Sequence, residues 1–205
     1  MVVSKILMSE SQFQNFNHLK IHSQYSICEG AVKIDDLKNF SKSNKIKSLG
    51  LCDTTNLCGA LEFAEKISKV GSQPIIGTQI NFKYGDTTGL LPLFSLNEEG
   101  YKRIIKLSSL SYLENDELSD PHIDFEELLE DNEGDALFSG TVFGLFGNLF
   151  DKGKFSEIHD MYKKIKSKYN DRFYIEIQRH NDQNELGFEK FNLKESLELE
   201  IPIIA

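Results

Sequence analysis

The sequence contains few cysteines, and they follow no pairing pattern. Cys28, Cys52 and Cys58 are an odd number, and no two of them have the close spacing of a zinc-binding pair. This excludes a disulfide framework as the basis of the fold and gives no indication of a structural zinc site. We therefore expect a protein of a reducing compartment.

Long apolar runs are also missing. No stretch approaches the roughly 20 consecutive apolar residues that a membrane-spanning helix requires. Residues 1–10 lack the apolar block and the small-residue cleavage site of a signal peptide. We expect an intracellular, cytoplasmic protein that makes no contact with a membrane.

Basic residues are outnumbered by acidic ones. The chain has 23 Lys and Arg against 32 Asp and Glu, and its net charge is -9. This argues against binding nucleic acid by phosphate neutralisation, which needs Lys and Arg gathered on one face. With 205 residues, of which 40% are hydrophobic, the chain can bury a substantial core. We expect a single globular domain over residues 1–205.

The sequence does contain an alternation of apolar strand-like runs with helical patterns. The clearest helical pattern covers 155–169, where apolar residues recur at three- and four-residue steps. Seven short strands alternating with helices predict an α/β fold of parallel strands and crossover helices, either a barrel or a doubly wound sheet. The predicted strands are 16–21, 46–52, 74–82, 90–96, 135–139, 172–178 and 201–205, and the other predicted helices are 34–44, 59–70, 98–112 and 185–199.

The last five residues form an apolar run. Ile201-Pro-Ile-Ile-Ala205 has strand character, and no polar tail follows it. Because a natural terminus seldom lies within a buried strand, we expect the chain to be a piece of a longer protein.

Polar groups near the first predicted strand form a pattern typical of a metal site with missing ligands. Side chains two residues apart on a strand point to the same face, so His22 and the residue at position 20 could hold one cation together. Position 20 is Lys20, whose ammonium has no free lone pair and would repel Zn²⁺ or Mn²⁺. The sequence predicts a metal-type site that has lost part of its ligand set.

Five segments, taken together, carry a resemblance to a known domain family. They are His-Leu-Lys-Ile-His-Ser-Gln-Tyr-Ser (18–26), Asp-Thr-Thr-Asn-Leu-Cys-Gly-Ala (53–60), Pro-Ile-Ile-Gly (74–77), Asn-Glu-Glu-Gly-Tyr (97–101) and Asp-Arg-Phe-Tyr-Ile-Glu-Ile-Gln-Arg-His (171–180). In order and spacing they are similar to the PHP (polymerase and histidinol phosphatase) domain at the N-terminus of bacterial DNA polymerase III alpha subunits. The resemblance spans 16–205 and implies a distorted seven-stranded (βα) barrel, TIM-like, with its site at the carboxyl ends of the strands.

The resemblance also implies a set of site positions. In active members of the family, His, Asp, Glu and Cys side chains at that rim hold up to three metal ions, which activate water for phosphoester hydrolysis. Carried over position by position, His22, Glu29 and Asp53 are remnant ligand positions, and His180 is a rim residue, either a ligand or a neighbour. The substituted ligand positions are Lys20, Thr54, Gln79, Leu90 and Thr141.

The surviving ligand set is too small for such a cluster. Three divalent ions carry about +6 charge and need deprotonated ligands. The chain offers one imidazole and two carboxylates, and His180 is either a further ligand or only a neighbour. We expect no bound metal and no catalytic residue in this chain, and an ion pair of Lys20 with Asp53 or Glu29 in the space of a metal. Zn²⁺ or Mn²⁺ is the expected cofactor of a residually active site, and Mg²⁺ that of the parent polymerase.

The resemblance implies a structural and subunit-interaction role in DNA replication. The implied partners are the rest of the polymerase chain, the proofreading exonuclease and other replisome subunits, with DNA bound through the parent protein. The DNA-directed DNA polymerase (nucleotidyltransferase) activity would belong to regions outside this chain. Two alternatives stay open: a residual metal-dependent phosphoesterase acting as 3′–5′ exonuclease or pyrophosphatase, and a free-standing phosphatase of histidinol-phosphate type.

Overall fold

The computed structural model describes residues 16–113, 115 and 119–204, which form one curved sheet with helices packed on it. The helices are α1 (Ile34–Asn44), α2 (Ala60–Ser68), α3 (Glu98–Leu113), α4 (Leu145–Asp151), α5 (Phe155–Tyr169) and α6 (Glu185–Leu199). The strands are β1 (Ser48–Thr54), β2 (Gln73–Tyr84), β3 (Thr87–Ser95), β4 (Ile123–Asp124), β5 (Asp135–Phe138), β6 (Phe173–Glu176) and β7 (Ile203–Ile204). In these described ranges, no helix has the length and apolarity needed to cross a membrane.

The sheet contains both parallel and antiparallel strand pairs. Its strands follow one another in the order β1-β2-β3-β5-β6-β7, and β4 pairs with β2 away from this path. The pairs β1–β2, β5–β6 and β6–β7 are parallel, whereas β2–β3 and β3–β5 are antiparallel. The predicted α/β, barrel-like fold is confirmed, and six of the seven predicted strands are present, but the prediction of parallel strands throughout is wrong.

The change of direction begins at a two-residue hairpin between β2 and β3. Tyr84 pairs with Thr87 across the turn, and Gly85 adopts a left-handed conformation with φ of 59°. A parallel connection needs a dozen or more residues, and the short interval between the predicted strands 74–82 and 90–96 leaves no room for one. Gly-Asp between two strand-like runs is a hairpin signal, which the parallel interpretation overlooked.

Residues 16–21, predicted to be the first strand, lie beside β1 without forming a regular ladder. The carbonyl of His18 accepts a hydrogen bond from the N–H of Gly50 at 2.7 Å, and that of Ile21 accepts one from Cys52 at 2.8 Å. The two acceptors are three residues apart and the two donors only two apart, so one extra residue interrupts the pairing, as in a β-bulge. The prediction of a strand here is wrong for this reason.

A small apolar cluster of the sheet lies near this segment. Leu19 and Ile204 both pack against it, so residues 16–21 occupy the space between the edges formed by β1 and β7. The backbone of Leu19 can lie this close to β1 only because position 50 is glycine. A Cβ at position 50 would lie 2.2 Å from the Leu19 carbonyl oxygen. The cluster consists of Cys52, Phe94 and Phe138, with Leu19, Ile75, Tyr174 and Ile204 packed against it.

The helices agree closely with the sequence predictions. The predicted helices 34–44, 155–169 and 185–199 begin and end as predicted, and α2 and α3 differ by at most two residues at either end. The apolar stripe of α5 is buried as expected, except that Phe155 is half exposed. The prediction missed α4, β4 and two short 3₁₀ helices at Phe125–Leu129 and Asn170–Arg172.

A buried ion pair links α3 to β5. Arg103 Nη1 lies 2.6 Å from Asp135 Oδ2, and the two side chains are 6% and 0% exposed. Arg103 also donates to the Tyr169 hydroxyl at 3.1 Å and to the carbonyls of Leu128 and Glu130 at 2.8 and 2.9 Å. Burial raises the pKa of Asp135, and the positive charge of Arg103 opposes that shift. Arg172, whose Nη1 lies 3.8 Å from Asp135 Oδ1, opposes the shift as well. The charged form of Asp135 therefore depends mainly on Arg103, its nearest cation.

We expect Arg103→Met to lower the free energy of unfolding by about 3 kcal/mol or more, because it removes the nearest cation of a buried carboxylate and leaves only the longer contact with Arg172. The adjacent Lys102→Met is the matched control and should change it by about 0.5 kcal/mol or less, because Lys102 is exposed and pairs with surface Glu98 and Glu99. Urea unfolding followed by circular dichroism measures both, since the chain has no tryptophan. Equal effects of the two substitutions would contradict this account.

Candidate functional site

A pocket of about 290 Å³ at the rim of the sheet brings most of the predicted site positions together. Lys20 and His22 reach it from the segment beside β1, and Gln79 reaches it from β2. Thr54 and Asp53, at the end of β1, lie next to the pocket without lining it. The predicted positions that line it are Lys20, His22, Glu29, Gln79, Leu90, Thr141 and His180.

The ammonium of Lys20 is paired with Glu176, the last residue of β6. Lys20 Nζ lies 3.1 Å from Glu176 Oε1 and 3.4 Å from Oε2. The two side chains are only 12% and 5% exposed, so each charge is compensated mainly by the other. Lys20 thus forms an ion pair as expected, but the expected partners, Asp53 or Glu29, were wrong.

Asp53 is unavailable to Lys20 because serines already bind its carboxylate. Its Oδ1 accepts hydrogen bonds from the Ser23 N–H at 2.6 Å and the Ser26 hydroxyl at 2.7 Å, and its Oδ2 accepts one from the Ser23 hydroxyl at 2.8 Å. The residue is only 1% exposed. Hydrogen bonds to a charged acceptor are strong, so the negative charge of Asp53 is stabilised without a cation. In this structure Asp53 anchors the loop that follows His22.

Glu29 belongs to a second, more exposed chain of hydrogen bonds. Thr54 and Gln79 are paired in the β1–β2 ladder, and Gln79 Nε2 donates to Thr54 Oγ1 at 2.7 Å. Thr54 Oγ1 in turn donates to Glu29 Oε2. Thr54 and Gln79, two of the predicted substituted ligand positions, are therefore hydrogen-bonded to each other, and Thr54 also binds the carboxylate of Glu29.

The two histidines of the rim have different surroundings. Among the residues that the structure describes, His22 Nδ1 is buried and has no hydrogen-bond partner. His180 Nε2 lies 3.0 Å from Gln178 Oε1, and Gln178 Nε2 donates to Glu176. His180, Gln178, Glu176 and Lys20 therefore form a continuous row of polar contacts along the rim.

The Cys52 thiol lies close enough to the ion pair of Lys20 and Glu176 for both charges to affect its pKa. Burial raises the pKa of the Cys52 thiol far above its ordinary value, the charge of Lys20 opposes that shift, and the charge of Glu176 adds to it. A thiol must lose its proton to act as a nucleophile or a metal ligand. Cys52 is therefore inert, whereas Cys28 and Cys58 are exposed on the surface.

The side chains at the rim do not fit the metal cluster that the family resemblance implied. The only His, Cys, Asp and Glu group within residues 16–113, 115 and 119–204 whose ligand atoms converge is His159, Glu195 and Glu198, on α5 and α6. There, His159 Nδ1 lies 2.6 Å from Glu195 Oε2 and the opposite ring nitrogen faces Glu198 at 4.0 Å. Only the contact of His159 with Glu195 has hydrogen-bond length, and Glu198 is exposed, so we interpret this group as two histidine contacts. At the rim, Lys20 holds the carboxylate that a cation would need.

Glu176, Gln178 and Phe143 belong to the site, although the sequence analysis did not select them. Residues two apart at the end of a strand share a face, so an acid at position 176 of the predicted strand 172–178 was an available signal. Phe143 lines the pocket and is 64% exposed. Nothing in its local sequence distinguishes it from the buried Phe146, three residues later.

Fold and site together define a barrel-like α/β domain in which an ion pair lies among the predicted ligand positions. The PHP domain model matches residues 18–180 of the sequence. The chain therefore belongs to the PHP domain family, as its resemblance predicted.

Curated relatives that match the chain are much longer proteins. The DNA polymerase III subunit alpha of Caulobacter vibrioides is 34% identical over 206 residues, which cover 97% of this chain and 18% of the relative. The DNA polymerase III subunit alpha of Rickettsia felis is 37% identical over 191 residues, which cover 93% of this chain and 16% of the relative. A solved Bifidobacterium adolescentis protein, described provisionally as a metal-dependent phosphoesterase, is 11% identical over 91% of this chain and 85% of its own, with a TM-score of 0.47. The chain thus spans less than a fifth of the length of these polymerase relatives.

We expect Asp53→Asn to lower the free energy of unfolding by about 2 kcal/mol or more, because an amide NH₂ would face the serine donors. Hydrogen exchange should also accelerate at the backbone N–H of Ser23, which donates to Asp53. Asp160→Asn, on the exposed face of α5, is the control and should change stability by about 0.5 kcal/mol or less. Unchanged protection of Ser23 in Asp53→Asn would contradict the anchoring role.

Proposed function

We propose that this chain is the PHP domain of a bacterial DNA polymerase III alpha subunit, and that it serves DNA replication as a structural and subunit-interaction domain. Its membership of the PHP family and the names of its curated relatives support the first part. The proposal includes a single domain over residues 1–205, within a longer chain, and a cytoplasmic location, where bacterial chromosomes are replicated.

The contact between Lys20 and Glu176 carries the second part of the proposal. A divalent ion at this rim would need anionic or imidazole ligands free of a competing positive charge. An ammonium 3.1 Å from the carboxylate would instead repel that ion across a few ångströms in a poorly screened place. The site is therefore proposed to be catalytically inactive, with Lys20 in place of a cation.

The same contact supports a structural role. Lys20 lies in the segment beside β1, and Glu176 ends β6, so the ion pair joins parts of the sheet that no strand pairing connects directly. The proposed partners are the rest of the polymerase chain, the proofreading exonuclease and other replisome subunits. DNA would be bound through the parent polymerase, whose own cofactor would be Mg²⁺, because the net charge of -9 disfavours direct binding by this domain.

One observation favours the alternative of a residual metal-dependent phosphoesterase. His22 Nδ1 is buried without a hydrogen-bond partner in the described part of the chain, and such an orphaned atom calls for an explanation. A weakly bound Zn²⁺ or Mn²⁺ would supply one, with Glu29 and Asp53 as further ligands. This alternative requires bound metal and phosphoester hydrolysis that both disappear in His22→Ala.

We expect the purified protein to contain no stoichiometric zinc or manganese, because the charge of Lys20 opposes their binding. Lys20→His should raise the metal content, since it removes this charge and adds an imidazole beside His22. Lys20→Met is the matched control, which removes the charge without adding a ligand. Inductively coupled plasma mass spectrometry measures the content after dialysis against each metal.

Stoichiometric metal in the unchanged protein, together with chelator-sensitive hydrolysis of a phosphoester, would contradict the inactive site. Equal metal content in Lys20→His and Lys20→Met would show that the added imidazole plays no part in binding.

We expect removal of residues 1–205 from the full-length polymerase to reduce its retention of the proofreading exonuclease in a pull-down. The reason is that the domain is proposed to offer the contact surface. Full-length polymerase with Asp160→Asn is the control, because Asp160 is exposed on α5 and its change should leave the fold and the retention intact. Equal retention by the truncated and intact polymerases would contradict the interaction role.

A further inference from the structure

Helix α6 exposes leucines and buries polar residues, which is the reverse of an ordinary surface helix. Leu186, Leu193 and Leu197 are 62%, 37% and 83% exposed. The buried residues of the same helix, apart from Phe188, are Glu185, Asn192, Glu195 and Ser196.

The buried polar residues fix the rotation of the helix. Glu195 Oε2 is bound to His159 Nδ1 at 2.6 Å, and Asn192 Oδ1 accepts a hydrogen bond from the Tyr162 hydroxyl at 3.0 Å. Turning the leucines inward would expose or break these contacts and leave polar groups on α5 unpaired, at a cost in free energy. The exposed leucines are therefore a consequence of the native packing of α6 on α5.

The three leucines form one narrow line, which we call the leucine stripe. Their spacings of seven and four residues place Leu186, Leu193 and Leu197 above one another along the helix, as in the seam of a coiled coil. Lys190 and Lys194 beside the stripe are exposed and have no ion-pair partner among the described residues. The side of the stripe with these lysines is therefore positive, although the whole chain has a net charge of -9, and Glu189 on the other side is paired with Arg179.

Area and charge argue against a separate molecule as the occupant of the stripe. A stable association of two free proteins buries about 800 Å² on each partner, which three leucines on one helix do not offer. In a second copy of this chain, the same lysines would lie opposite one another and repel. A linked segment needs much less area, because the linkage gives it a high effective concentration.

We propose that the leucine stripe is the docking face for an amphipathic helix of the longer polymerase chain. That helix would present an apolar face to the three leucines and acidic side chains to Lys190 and Lys194. The inference rests on the proposed function, in which this chain is one domain of a polymerase, and the matching relatives extend well beyond it, since the chain covers 16 to 18% of their length.

The test compares thiol labelling of Leu197→Cys and Leu61→Cys, each in the full-length polymerase. Leu61 is 73% exposed on α2 and is the matched control. Peptide-resolved mass spectrometry follows alkylation at each introduced cysteine. We expect the cysteine of Leu197→Cys to react at least about tenfold more slowly than that of Leu61→Cys, because the docked helix must open first. Adding Lys190→Glu and Lys194→Glu should remove this protection.

Equal labelling rates at the two positions would overturn the proposal, and so would protection that persists after the charge reversal. Protection that fades on dilution would assign the stripe to a second copy, and protection that needs an added replisome subunit would assign it to a separate protein; both results overturn the proposal. A gene without coding sequence beyond this chain would instead refute the proposed function.

Discussion

The ion pair between Lys20 and Glu176 joins the segment 16–21 to the end of β6, where no strand pairing connects them. Residues 16–21 are joined to β1 through two irregular backbone hydrogen bonds, and β7 pairs with β6 over only two residues. A buried pair of charges spans the remaining distance and fixes the rim from both sides. Removing either partner would leave the other charge uncompensated, so the shape of the pocket and the electrostatics of the pocket depend on one contact.

The buried carboxylates of this domain share a common feature, which is a partner supplied by the chain itself. Asp53 is held by two serines, Glu176 by Lys20 and Asp135 by Arg103. Hydrolytic metal centres need the opposite, namely carboxylates whose charge is left for a cation. At the rim of this domain, the charges of the buried carboxylates instead hold loops and strands together.

Local patterns predicted the helices. One local signal, the hairpin before β3, was overlooked, whereas the errors at residues 16–21 and at the partner of Lys20 come from long-range contacts. The periodicity over 155–169 is a property of adjacent residues, so the sequence was sufficient to find α5. The direction of β3 depended on the Gly85-Asp86 turn, and the irregular course of 16–21 depended on how Leu19 packs against Gly50. The rim positions were gathered through family resemblance, but the acid that binds Lys20 was missed, because its position is set by the curvature of the whole sheet.

Lys20 and Glu176 are 156 residues apart in the chain and yet cannot vary independently. A mutation at either position passes through a protein with an isolated buried charge, which is costly, whereas a change at both positions together avoids that intermediate. A stable protein with an uncharged residue at position 20 would therefore need a second change at position 176.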